Sequence, residues 1–281
     1  GLLFGCSLRD AAFAGLCGIL IAFITRFTNA MKANPIFSTL AASFLMSAAA
    51  YGLNAAGLVG NSDTVIIGSM MILVPGLVFT NALRDIIYGD INSGINKCVQ
   101  VLLIAGSMAL GSAAARNLAI RLWGLPQVAP VITRSLPVRC LAACSGCIGF
   151  SILFNIHGPG MLLCTLGGIA DYAIYALCLK AGLAPGTAFF AGTAFSALYS
   201  EIMARVRKYP TICYLVVSII PLIPGADLYY TMQQAVDGAM DEFVSQGLFT
   251  AEITGIMAAS IILVSSLVRI CMGWRTLRKG R

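Results

Sequence analysis

Charge is what this sequence has least of. Of its 281 residues only 10% are Asp, Glu, Lys or Arg, against roughly 25% in ordinary soluble domains. So few charges cannot cover the surface of a soluble protein of this length, which excludes a soluble enzyme. The apolar excess equally excludes a disordered chain. Histidine occurs once, at His157, in the short turn 155–160, and reads as a loop residue rather than a proton relay. Dinucleotide-binding glycine loops, phosphate-binding loops and zinc-hydrolase motifs are missing. No cleavable signal peptide is visible. The chain opens on Gly1 rather than Met, as expected of a processed or trimmed chain.

Cysteine is plentiful, with ten residues, yet most lie inside apolar segments and pair in no evident framework. They read as small buried hydrophobes, which excludes a disulfide-stapled secreted module. Cys140, Cys144 and Cys147 fall on one helical face, and thiolates suit copper(I) or zinc. No second ligand cluster supports them, so neither a metal nor a cofactor is expected.

What is present in quantity is apolar. The AVILMFWYC set makes up 59% of the chain, in runs several of which reach the ~20 residues that span a bilayer as helix. The expected fold class is an all-α integral membrane protein whose surroundings are the lipid bilayer. The net charge of +7 does not form one patch. Basic residues sit at the ends of hydrophobic runs, as anchors at the membrane surface do, and no nucleic-acid partner is implied.

Punctuation by Pro, Gly and charge divides the chain into nine helices. Four run over 10–28, 35–57, 62–88 and 96–118, and five over 138–156, 159–181, 186–205, 210–237 and 247–272. A connector over 121–137, carrying Trp123, Pro126, Pro130 and Pro137, separates a first repeat over 1–120 from a second over 138–281. The two halves resemble each other. Leu3-Phe4 recurs as Leu153-Phe154, Gly18 as Gly168 and Pro35 as Pro185, each 150 residues on. Val74-Pro75-Gly76 recurs as Ile223-Pro224-Gly225, and Gly89 as Gly238, 149 residues on. The second half has five helices and the first only four, so a further helix is expected before Gly1. An odd number of helices per repeat inverts the second copy in the membrane, an arrangement typical of secondary transporters.

Of the 18 Lys and Arg, twelve fall on the side holding the C-terminus, among them Arg26, Lys32, Arg205 and Arg275, and six on the other. The positive-inside rule therefore favours a cytoplasmic C-terminus, although Arg116, Arg121, Arg134 and Arg139 run against it.

Two helices are interrupted at matching places, by Pro75-Gly76 and by Pro221 with Pro224-Gly225. Proline removes a backbone donor and clashes with the carbonyl four residues earlier, which would free the carbonyls of Met71, Ile220 and Val217. Such backbone is tolerated at membrane depth only inside protein or beside a water-filled cavity. Half-helix N-termini attract a carboxylate, and freed carbonyls attract an ammonium group or a cation. Thr80 and Asn81 follow the first break by about one turn, roughly 6–8 Å; Asp227 and Tyr229 occupy the corresponding stretch of the second. Asp171 lies near the centre of an apolar span, where a charged carboxylate is costly unless paired, solvated or protonated. It is a candidate proton site or else a structural polar contact. Arg84-Asp85 lies nearer a helix end, and Glu201 with Arg205 forms an i,i+4 pair suited to an ordinary ion pair.

At these residues the chain resembles the threonine/serine exporter family. The first half matches through Val74-Pro75-Gly76, Thr80-Asn81, Arg84-Asp85, Gly89-Asp90 and Ser93-Gly94. The second matches through Glu201, Ala204-Arg205, Pro210, the run Pro221–Gly225, Tyr229 or Tyr230, and Met232. The resemblance implies a ten-helix carrier of two fused five-helix modules, usually preceded by a polar region. It implies export of small hydroxylated amino acids driven by the proton gradient, across a bacterial cytoplasmic membrane.

The expected function is therefore a non-enzymatic, proton-coupled secondary antiporter with alternating access. Its substrate contacts would be Thr80, Asn81, Asp227, Tyr229 and Arg84, its proton sites Asp171 and Asp85, and oligomerisation is compatible with the chain. Export of a small dicarboxylate such as succinate is an alternative, because Arg84 and half-helix N-termini serve either anion. From another class, the chain would be the membrane anchor or partner of an N-terminal functional region.

Overall fold

A computed structural model describes residues 1–124, 126, 129–130, 132 and 134–279, with side chains described as far as Met272. Arg275, Arg278, Lys279 and Arg281, which entered the orientation count, have side chains outside the described residues. Among the described residues the secondary structure is entirely helical. The α-helices are α1 (Leu8–Ala30), α2 (Pro35–Ala55), α3 (Ser62–Met70), α4 (Gly76–Ile87), α5 (Ile91–Trp123), α6 (Leu136–Leu153), α7 (Pro159–Lys180), α8 (Pro185–Arg207), α9 (Thr211–Ser218), α10 (Gly225–Val236) and α11 (Met240–Lys279). Short 3₁₀ turns lie at Leu2–Phe4 and Ile220–Leu222. Each of the nine expected ranges holds a helix or a helix pair. α1, α2, α5, α6, α7 and α11 are each long and apolar enough to cross a bilayer. The pair Thr211–Leu222 and Gly225–Val236 is likewise long and apolar enough taken together and is bent by 53° at its break, as a broken span or a re-entrant loop is.

The helix starts follow from local chemistry. Ser7 accepts the Asp10 N–H at 3.0 Å to cap α1, and Asn34 accepts the Ile36 N–H at 2.8 Å ahead of Pro35 at the start of α2. Asn61 accepts two N–H groups of α3, from Asp63 at 3.0 Å and Thr64 at 3.2 Å. Each such cap satisfies donors that the first turn leaves unpaired, worth about 1 kcal/mol. After α4 and α10 the chain turns on Gly89 (φ +92°) and Gly238 (φ +80°), a backbone region that glycine enters without steric cost.

The chain forms two compact units, each drawing on both halves of the sequence. The first comprises Gly1–Val78, Asn96–Arg134 and Pro224–Thr250. Its core packs Ala14, Cys17 and Ile21 of α1, Ala42, Met46 and Ala50 of α2, Val65 and Met70 of α3, Met108 of α5 and Tyr229 of α10. The second comprises Phe79–Ile95, Ser135–Ile223 and Ala251–Arg281. In it α7 packs against α6, α8 and α9, round a core of Cys147, Cys164, Tyr214 and Val217.

Candidate functional site

In the first unit the two breaks meet. Pro75, Gly76, Pro224 and Gly225 are all buried. A methyl group built on Gly225 would lie 2.9 Å from Val74 Cγ1 and 3.0 Å from Met71 Cε, so glycine is what lets the segments approach. α4 begins at Gly76 with no acidic residue in its first turn, whereas α10 begins at Gly225 and carries Asp227 in its first turn. Two half-helix N-termini thus start close together, one without an acidic residue in its first turn and one beside a carboxylate. The Asp227 Oδ1 accepts a hydrogen bond from Gln246 Nε2 at 3.0 Å.

Further along α10 a polar chain crosses to α5. Tyr229 is buried, and its hydroxyl lies 2.9 Å from Ser112 Oγ, which also donates to Gln233 Oε1 at 3.0 Å. One turn beyond Ser112 on α5, Arg116 pairs with Asp237 at 2.5 Å, both partly exposed. Thr231 Oγ1 lies 3.3 Å from Thr250 Oγ1 of α11. α10, although it comes late in the chain, is thereby hydrogen-bonded to α5 and to the start of α11.

The carbonyls expected to be freed at the second break are not bare, which corrects the sequence expectation. A 3₁₀ turn closes over the gap, and Ile223 N–H donates to the Ile220 carbonyl at 3.2 Å. The Cys147 thiol of α6 donates to the Val217 carbonyl at 3.7 Å. Tightening the last turn and recruiting a neighbouring side chain are ordinary ways of satisfying orphan carbonyls.

Asp171 lies in the second unit, fully buried in α7. Neither carboxylate oxygen closes a hydrogen bond, although Ser196 of α8 stands beside it. A methyl group built on Gly192 would lie 2.8 Å from Asp171 Oδ1, 3.2 Å from its carbonyl oxygen and 2.7 Å from Leu222 Cδ1. The carboxylate, α8 and the 3₁₀ turn therefore converge on one glycine. The hydroxyls of Thr193, Ser196 and Ser200 on α8, Thr165 on α7 and Ser151 on α6 are likewise buried without hydrogen-bond partners. Among the described residues no cation pairs with Asp171, and an unpaired buried anion costs far more than a neutral carboxylic acid.

The remaining predicted residues also fall in the second unit. Thr80 is buried at 1% exposure, Asn81 is half-buried, and Arg84 lies 3.8 Å from Asp85. Pro221 sits in the 3₁₀ turn, where its Cγ lies 3.6 Å from a methyl group built on Gly168. Glu201 and Arg205 pair at 2.6 Å along α8. His157 lies in an exposed turn, with Nε2 2.9 Å from Asn155 Oδ1.

Comparison with protein-family models matched residues 1–119 to one threonine/serine exporter model, and residues 139–267 to a second, described as Threonine/Serine exporter, ThrE. Between them the matches leave out only the connector and the C-terminal end. The chain belongs to the threonine/serine exporter family. No curated protein and no solved structure matched it. Membership makes this an integral membrane protein of a transporter family, consistent with its apolar helices.

Several residues round the candidate sites of this member of the threonine/serine exporter family were invisible to sequence reasoning. Ser112 and Arg116 sit one turn apart on α5 but carry no signal that they meet α10. Gln246 precedes the apolar stretch of α11 and reads as interfacial. Gly192 is one glycine among 29. The Gly167-Gly168 pair just before Asp171 was a usable signal, because adjacent glycines in a helix mark close packing.

Proposed function

We propose that this chain is a proton-driven secondary exporter of threonine and serine, working by alternating access, with the amino acid held at the paired breaks of the first unit. The observation that carries this reading is the asymmetry of the two half-helix N-termini that meet at Gly225. The N-terminus of α4, whose first turn holds no acidic residue, suits the substrate carboxylate. The Asp227 carboxylate beside the other suits its ammonium group, and Tyr229 lies one turn below. A zwitterion satisfies both ends. A dicarboxylate would bring its second negative charge towards Asp227, which disfavours succinate. The roles of Thr80, Asn81 and Arg84 as further substrate contacts rest on the sequence alone.

Asp171 is the proposed coupling site. A buried carboxyl group beside the Ser196 hydroxyl, with no ion-pair partner among the described residues, suits binding and release of a proton. Asp85, paired with Arg84 near a helix end, is the lesser candidate. Matched breaks and matched left-handed turns at Gly89 and Gly238 support an inverted duplication. The excess of Lys and Arg on the C-terminal side supports a cytoplasmic C-terminus, in a bacterial cytoplasmic membrane.

The deciding experiment is flux in proteoliposomes of the full chain, with labelled threonine and serine, an imposed pH gradient and succinate as competitor. Gradient-driven accumulation that resists succinate is the expected result. Movement of succinate without amino-acid flux would overturn the substrate, and flux indifferent to the pH gradient would overturn proton coupling.

A further inference from the structure

The second break is seated in a slot floored by glycine. Gly167 and Gly168 of α7 lie where a methyl group would collide with Ser218 Oγ and with Cys147 Sγ respectively, and Gly168 also approaches the Ser218 carbonyl and Pro221. Gly192 of α8 completes the slot, and there the same missing methyl group separates Leu222 of the break from Asp171 Oδ1. The apolar end of Leu222 and a buried carboxyl oxygen thus border the same small space above Gly192. Ala42, 150 residues before Gly192, carries a methyl group and faces a core containing Ile21 in place of Asp171. Glycine thus stands where Leu222 and the carboxyl group converge, and alanine stands at the matching position that lacks the carboxyl group.

We infer that Gly192 is a positioning residue that couples the charge on Asp171 to the seating of the 218–223 segment in its slot. With Asp171 neutral, Leu222 packs over the acid and the slot is filled. With Asp171 ionised, an unsolvated anion cannot remain against Leu222 and Gly192, because removing water from a charge costs far more than one apolar contact returns. Water reaches the carboxylate only if the turn lifts. The proton is thereby converted into movement at the hinge of a broken helix. This deepens the proposed function and rests on its assignment of Asp171 as the proton site. The titratable group that interacts with Asp171 among the described residues is the Cys147 thiol on α6, and Tyr172, next to it in α7, interacts instead with Arg139 and Cys140. α8 and the turn face Asp171 with Gly192, Ser196 and Leu222, none of which titrates.

Hydrogen–deuterium exchange of the full chain in lipid nanodiscs tests the inference without requiring a substrate. Exchange at residues 219–223 is compared between the parent protein and Asp171→Asn at matched pH, from about pH 5 to 8, below the range where thiols and phenols ionise. The expected result is about tenfold greater protection in Asp171→Asn at the upper end, shrinking towards nothing as the pH falls, a tenfold gap being about 1.4 kcal/mol of differential stability. Equal protection across the range would overturn the inference. Gly192→Ala is expected to leave the segment fast-exchanging at every pH. Should that variant not fold, Asp171→Asn still decides. The exporter reading fails separately: absent threonine flux with a pH-dependent exchange gap removes the substrate and keeps the hinge, whereas pH-driven flux without the gap keeps the exporter and removes the hinge.

Discussion

The helix pairs α1/α2 and α7/α8 have matching positions 150 residues apart, and at four of those positions they bury different materials. Where the first pair buries Ile21, Ala42, Met46 and Ala50 in one apolar core, the second buries Asp171, Gly192, Ser196 and Ser200. Both sets are nearly or wholly inaccessible, with Ile21 at 1% and Asp171 at 0%. At these four positions apolar side chains meet the packing needs of the first pair, which elsewhere buries Asp10, Ser43, Ser47 and Asn54. The second has exchanged side chains that favour burial for a carboxyl group and hydroxyls that do not. Buried hydroxyls occur in both pairs, but a carboxyl group at the position of Ile21 is better understood as retained for work than for stability.

The comparison can be broken most sharply at Asp171. Asp171→Asn is expected to reduce gradient-driven accumulation of threonine to background while leaving counterflow largely intact, both measured in proteoliposomes. Equal loss of the two would return Asp171 to a structural role. The next largest effect is expected from the mirror substitution, Ile21→Asp, which places a carboxyl group in the apolar interior. It should cost about 3 kcal/mol, read as a lowered unfolding midpoint in detergent, whereas Asp171→Asn should leave that midpoint unchanged or raised.

The equivalent glycines sharpen the same contrast. A methyl group on Gly18 would meet nothing within 4 Å, whereas one on Gly168 would strike Cys147 and approach Ser218 and Pro221. Gly18→Ala is therefore expected to be neutral or stabilising by up to about 1 kcal/mol through helix propensity. Gly168→Ala should cost about 1–3 kcal/mol by overpacking. Equal midpoints for the two variants would mean that the slot is not tight. Smallest of all, Arg116→Ala removes a partly exposed ion pair with Asp237 and is expected to change stability by less than about 1 kcal/mol. A larger loss would show that the polar chain from Tyr229 through Ser112 and Gln233 acts as one unit with it.

Much of the fold was legible because apolar length and proline punctuation are local signals. Runs near 20 residues located the helices, and α4 and α10 start at Gly76 and Gly225, where Pro-Gly stood in the sequence. The burial of Asp171 was legible for the same reason. Harder to foresee was which parts join. Nothing local says that α10 packs with the α1/α2 core, because that depends on contacts such as Tyr229 with Ser112, 117 residues apart. The carbonyls of Val217 and Ile220 were misjudged because proline's effect was considered along one helix. The thiol that satisfies the first comes from α6, and the 3₁₀ closure that satisfies the second is a choice made by the folded chain.

That each unit borrows a segment from the other half of the sequence has a consequence for biosynthesis. The first unit includes Pro224–Thr250, so it cannot be finished while the ribosome is still translating the second half. Its α1/α2 core must wait in the bilayer, with the seat of α10 unfilled, until residue 250 of 281 has been inserted. Contacts spanning such sequence distances form late and slowly. A ribosome stalled before Pro224 would leave a membrane-inserted but unfinished first unit, the kind of intermediate that membrane quality-control proteases remove.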